Sequence, residues 1–132
     1  MTGITRRQAA EAAAALFGAT ARQTHESRTY DPWEVMDREG KAWRFVYDAS
    51  IRGSRRLGLQ QVPTGDGVYK VEMNSPKLEY SELGKLQEVV RALRRAGAVV
   101  NESCGMHVHV DASKHTPQSL KNALSIMYSK ED

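Results

Sequence analysis

The sequence has little cysteine, few aromatic residues and no long apolar run. A single cysteine, Cys104, excludes an internal disulfide and fits a reducing compartment. Nothing resembles a signal peptide or a membrane span, so the expected location is cytoplasmic, in a bacterial host cell. Aromatic residues make up only 7% of the chain and do not interleave with basic ones, which argues against a direct nucleic-acid ligand. Charge of one sign is also scarce. The net value of +3 comes from 19 basic against 16 acidic residues, spread along the chain. Only Arg52, Arg55 and Arg56 in IRGSRR, and Arg91, Arg94 and Arg95 in RALRR, approach clusters. A solvated face is the plainer reading of both.

What is present describes one domain over 1–132, long enough for a core without staples. ITRRQAAEAAAALFG predicts a helix capped by Thr5 and ended by Gly18. WEVMD and KAWRFVYDA flank REG and predict an antiparallel hairpin. Residues 52–67 lack periodicity and read as a long loop, after which GVYKVEMNSP resumes as a strand. SELGKLQEVVRALRRAG is the clearest helix, with Leu83, Leu86, Val90 and Leu93 on one stripe. AVVN and GMHVHVD read as strands. Thr116-Pro117 opens a last helix with Leu120, Leu124 and Met127 on one face. The order α-β-β-β-α-β-β-α predicts an α+β fold, a mainly antiparallel sheet with helices packed on one face.

The chemistry concentrates in NESCGMHVHVDAS. If residues 106–111 are extended, His107, His109 and Asp111 share one side, and Val108 and Val110 claim the other. Imidazoles two residues apart on a strand are separated by about 7 Å and can tilt toward one ion. Cys104 lies three residues earlier, across Gly105, so the set offers soft and hard donors together. C-x-x-H-x-H is not a standard zinc pattern. A polar cavity lined by hydrogen-bonded histidines and a surface strand without ligand both stay open. The alternation favours a shared polar concavity. Glu72, pointing away from Val71 and Met73, is the further carboxylate, and Glu102 and His115 are other candidates. Asp48 and Ser50 in YDASI read first as turn-formers.

VEMNSP, then a helix, then AGAVVNESCGMHVHVDAS resembles the amidoligase family of phages, plasmids and integrative elements. TGITRRQAAEAAAALFGATARQT resembles that family's first helix, YDASI its D-x-S strand, and GMHVH the histidine strand of the wider glutamine synthetase-like fold group. The resemblance implies ATP-dependent amide formation through an acyl phosphate, with magnesium ions neutralising the phosphates. It implies that His107 binds a divalent ion, that His109 faces nucleotide phosphate with Ser113 nearby, and that Glu72 belongs to the metal cluster. Members of the family open with a strand like FGIEIE, whose glutamates are expected ligands. That strand and the later catalytic half have no counterpart here, so the resemblance is to a domain shortened at both ends.

Two functional classes follow. One is an ATP-dependent amidoligase, a carboxylate–amine ligase using Mg-ATP. The other is a non-catalytic binding module on the same scaffold, with zinc at Cys104, His107, His109, Glu72 and Asp111, because a site poor in carboxylates suits zinc better than magnesium. Its partner would be a host protein docking on Arg52, Arg55 and Arg56. The mobile-element context suggests an anti-CRISPR type of inhibitor acting on a Cas nuclease. The sequence reading favours the binding module.

Overall fold

A computed structural model describes residues 1–24 and 30–131. Helix α1, Arg6–Phe17, begins where expected. The Thr5 hydroxyl accepts from the Gln8 N–H at 3.2 Å, and the Gln8 side chain accepts from the Thr5 N–H at 2.9 Å. This reciprocal cap satisfies donors that a helix start otherwise leaves open. Gly18 ends the helix with φ 67°, a left-handed conformation that glycine adopts without a Cβ penalty. Ala9, Ala10, Ala13 and Ala14 are buried along one side, so small side chains let α1 lie close on the sheet.

That sheet has four antiparallel strands: β1, Arg22–Gln23; β2, Trp33–Met36; β3, Ala42–Tyr47; and β6, Val71–Asn74, in the order β1-β2-β3-β6. The β2–β3 turn is closed by Asp37, which accepts the N–H groups of Glu39 at 3.1 Å and Lys41 at 2.8 Å. Alternation sends Val35, Trp43, Phe45 and Val71 into the core and leaves Arg44, Glu72 and Asn74 on the far face. Helix α2, Leu83–Arg95, packs beside α1 on the core side. The class is therefore α+β, as expected.

Three expectations about elements are corrected. The buried side of α2 is Leu86, Val89 and Leu93, whereas Leu83 and Val90 are exposed. Spacings of three and four residues fit a helical stripe equally well, and packing on α1 selects the former. Residues 52–67 are not a loop throughout, for they hold a second hairpin: β4, Ser54–Leu57, against β5, Gln60–Pro63. Neither of its faces is buried, so no apolar alternation marks it; the two-residue Gly58-Leu59 turn was the available signal. Finally, GMHVHVD forms no strand, and AVVN contributes only a single bridge from Val99 to Thr2. A strand exists through its neighbours' hydrogen bonds, and among the described residues none flanks 105–111.

The last helix, α3, Pro117–Tyr128, carries the predicted Thr116 cap and Pro117 at its start, but none of its residues is buried. Leu120, Leu124 and Met127 share a face that stays exposed. The three N-terminal residues instead act as a seam. Met1 exchanges backbone bonds with Val71, Thr2 with Val99, and Gly3 donates to Ser54 at 3.0 Å. Sheet, second hairpin and the segment after α2 meet there.

Candidate functional site

The face of the sheet turned away from the helices carries the charged side chains. Glu34, on β2, is the buried centre of one group: its carboxylate accepts from Arg22 at 2.6 Å and from Arg44 at 3.1 Å. The Arg22 hydrogen bond is the main reason its carboxyl sits below the usual range, against the opposing effect of burial. Glu72 stands on the same face, beside Val46 of β3. It is exposed, and among the described residues its carboxylate meets no cation. One glutamate on this face is thus neutralised twice, and the other is uncommitted.

Asp48 follows β3. Its carboxylate accepts from the Ser50 hydroxyl at 2.7 Å and the Ser50 N–H at 2.9 Å, which bears out the turn-forming reading. Those bonds hold its carboxyl below the ordinary value, helped by the charges of the N-terminal ammonium and of His107.

The segment that leads to the histidines is organised by Asn101, a residue sequence reading passed over. Its side-chain amide donates to the Arg52 carbonyl at 2.9 Å, while its oxygen accepts from the Ser103 hydroxyl at 2.6 Å and its N–H at 3.0 Å. The half-buried Cys104 thiol also points at that oxygen, 3.6 Å away. Asn101 thereby ties the turn to the base of the second hairpin. Nothing in local patterning marks it, because the contact spans 49 positions. Beyond Gly105 the chain is open. His107, His109 and Asp111 are exposed, and so are Met106, Val108 and Val110. The valines do not enter the core, so the premise that placed both histidines in one concavity does not hold. Asp111 accepts from the Ser113 N–H and hydroxyl, each at 2.9 Å, and the N–H bond chiefly lowers its carboxyl. His115 Nδ1 lies 3.0 Å from the Ser119 hydroxyl.

The structure does not gather the predicted ligands. Among the described residues no three His, Cys, Asp or Glu side chains converge, so Cys104, His107, His109, Glu72 and Asp111 form no common donor set. Magnesium requires near-octahedral oxygen coordination, and a closed zinc site needs four donors in a tetrahedron. The residues as arranged fit neither ion, nor a metal-bridged ATP. Of the predicted partner-binding arginines, Arg52 is paired with Glu102, while Arg55 and Arg56 project from β4. An open cavity of about 510 Å³ lies along α3, lined by Pro117, Leu120, Leu124 and Tyr128 and by none of the predicted ligands or arginines. Among the described residues no helix is long and apolar enough to cross a membrane.

A protein-family model described as "Putative amidoligase enzyme" matches residues 1–132. No curated protein and no solved structure matches the chain. The family match covers the whole sequence: this chain belongs to the amidoligase family.

Proposed function

We propose that this amidoligase-family chain serves ATP-dependent ligation of a carboxylate to an amine, with the polar sheet face around Glu72 as one wall of the reaction site. The observation that carries this reading is the uncommitted Glu72 carboxylate. It stands on β6, paired with β3 of a sheet whose opposite face packs against α1, and among the described residues no cation pairs with it. The Ser50 hydroxyl does most to lower the Asp48 carboxyl, just after β3, and the charge of His107 is the smallest of the influences that act with it. Since the described donors fit no metal–nucleotide cluster, no catalytic step is assigned to them. Glu72 supports binding and orientation only.

The test is thermal unfolding with millimolar Mg-ATP. A site filled about tenfold above its dissociation constant raises Tm by about 5 °C. Glu72→Gln, a substitution at an exposed position, should leave the ligand-free Tm in place and remove most of the shift. No shift in the parent chain, or an undiminished shift in the variant, overturns the assignment.

A second reading keeps the scaffold and drops the catalysis. It is favoured by the failure of the donors to converge and by the exposed apolar side chains of 106–110 and α3. In that case the chain is a binding module. Zinc at Cys104, His107 and His109 then rests on donor chemistry alone. An anti-CRISPR role on a Cas nuclease rests on the mobile-element context alone. Metal analysis of untagged protein separates the two readings: about one zinc per chain favours the module.

A further inference from the structure

The second hairpin combines three features. Between Asp48 and Asp66 the chain has three arginines and no carboxylate of its own. Arg52 is neutralised by Glu102, and Arg56 Nε donates to the Gly58 carbonyl at 2.9 Å. The Arg55 backbone pairs with Val62 and bridges to Gly3, but its side chain meets no partner among the described residues, and neither Arg55 nor Arg56 forms an ion pair there. Beside them two large aliphatic side chains are left in water, Leu57 at 63% exposure and Leu59, at the turn, at 94%. A solvated basic loop does not need that pair.

The hairpin is also held firmly at its base. Thr2 is fully buried; its hydroxyl donates to the Ser54 carbonyl at 3.1 Å and accepts the Ser54 N–H at 2.7 Å. The Thr64 N–H closes on the Gly53 carbonyl at 2.9 Å, and the two strands come so near that a Cβ on Gly53 would sit 2.8 Å from the Thr64 oxygen. Ile51 is buried just below. The cationic and aliphatic groups are therefore presented on a preformed two-stranded finger, which lowers the ordering cost of binding.

From this combination we infer that the β4–β5 hairpin is a docking surface for an acidic polypeptide segment with interspersed aliphatic side chains. Arginine presents a planar fork that matches a carboxylate through two parallel hydrogen bonds; among the described residues the Arg55 fork is unspent, and Arg56 commits only its Nε, leaving its two Nη groups to donate. The register places Arg55, Leu57 and Gln60 on one face of the hairpin and Arg56 with Gln61 on the other, but the Arg56 bond to the Gly58 carbonyl draws its guanidinium to the turn beside Leu59. The surface is therefore the Arg55–Leu57–Gln60 face together with the turn, where Leu57 and Leu59 supply apolar contact beside the charges. A nucleic acid would meet the charge but find no stacking platform, since no aromatic residue lies between Tyr47 and Tyr69. The inference is independent of the Glu72 reading.

The test uses the full chain and a fluorescein-labelled peptide alternating glutamate with leucine, followed by fluorescence anisotropy. The double variant Arg55→Glu/Arg56→Glu should weaken binding about tenfold or more, and Leu59→Ser by about threefold. Arg55→Gln/Arg56→Gln separates lost attraction from added repulsion and should still weaken binding several-fold. Arg91→Glu/Arg95→Glu changes the net charge equally on α2 and should cost less than about twofold. All variants should retain the parent Tm. Equal loss from the α2 variant would reduce the effect to overall charge and overturn the proposal. So would an unaffected Leu59→Ser, no peptide binding at low salt, or tighter hairpin-dependent binding of oligo(dT).

Discussion

The helix-backed sheet and the stretch from Gly105 to Glu131 contain the same local ingredients and reach opposite ends. Both have alternating or stripe-like apolar patterns, and both have well-capped helices. In the first, Trp43, Phe45, Val71 and Val89 are fully buried and every strand has a neighbour. In the second, Val108 and Val110 are about three-quarters exposed, and α3 buries nothing. A pattern of hydrophobicity states what a segment can bury. Whether it does so depends on a facing surface, and the described residues supply that surface to the first region and not to the second.

The sharpest way to break the contrast lies at Asp37. Its side chain is fully buried and accepts from two turn N–H groups, from the Trp43 indole at 3.2 Å and from Lys85 at 3.1 Å. These bonds keep its carboxyl below the ordinary value even though burial, the largest single influence, acts the other way. Asp37→Ala removes the turn closure and leaves a buried indole N–H unpaired. The expected loss is about 3 kcal/mol, read as a fall in Tm of roughly 10 °C. A fall of a degree or two would show that the hairpin does not depend on this carboxylate.

Gly3→Ala tests the N-terminal seam. Gly3 has φ 88°, and an added Cβ would lie 2.8 Å from the Gly97 carbonyl oxygen. Denaturant unfolding should show a loss of about 2 kcal/mol from strain and steric conflict together. An unchanged midpoint would mean that the seam opens without cost.

Acid sensitivity should come chiefly from the sheet side, because the one lowered carboxyl described in the open stretch, Asp111, is exposed. Glu34 is held below its ordinary value, 4.5, and Glu82 is lowered to about 2 by the Glu79 backbone N–H and then by Lys41. For a carboxylate depressed in the folded state, the stabilisation is complete above its unfolded value and disappears as pH falls through its folded value. Stability should therefore decline between about pH 4.5 and pH 2. Glu34→Gln should cost about 1 kcal/mol at neutral pH, discounted because Arg22 and Arg44 are half exposed or more, and should flatten the upper part of that decline. A parallel, merely shifted pH curve for the variant would remove Glu34 from the account.

The smallest effect is expected in the open stretch. Val108→Asp and Leu124→Asp should each change Tm by less than about 2 °C, because neither side chain leaves water on folding. A loss comparable to that of Asp37→Ala would show that these residues are covered in solution, and would erase the contrast between the two regions.

Much of the fold was legible from the sequence wherever the signal is local. Thr5 with Gln8, Gly18, the Asp37–Lys41 turn and Thr116-Pro117 announce elements within a few residues of themselves, and each element is present. The second hairpin was missed because arginine and glutamine give no alternation when both faces meet solvent. The candidate site was less legible. The outward face of Glu72 was legible from its alternation with Val71 and Met73, but the anchoring contacts of Asn101, Thr2 and Arg6 were not. Arg6 is buried against Asp31 and donates to the Gly67 carbonyl at 2.6 Å. Its importance depends on partners 25 and 61 positions away.

The sequence by itself determined the helices, the first hairpin, the α+β class and the family, because propensity, capping and motif order act over short distances. Tertiary structure alone decided that, among the described residues, Glu34 is paired and Glu72 is not, and that no described strand flanks the histidine segment. It also decided that Arg55 and Arg56 stand on a rigid finger. Those outcomes depend on which surfaces meet across the chain, and no residue carries that information in its own neighbourhood.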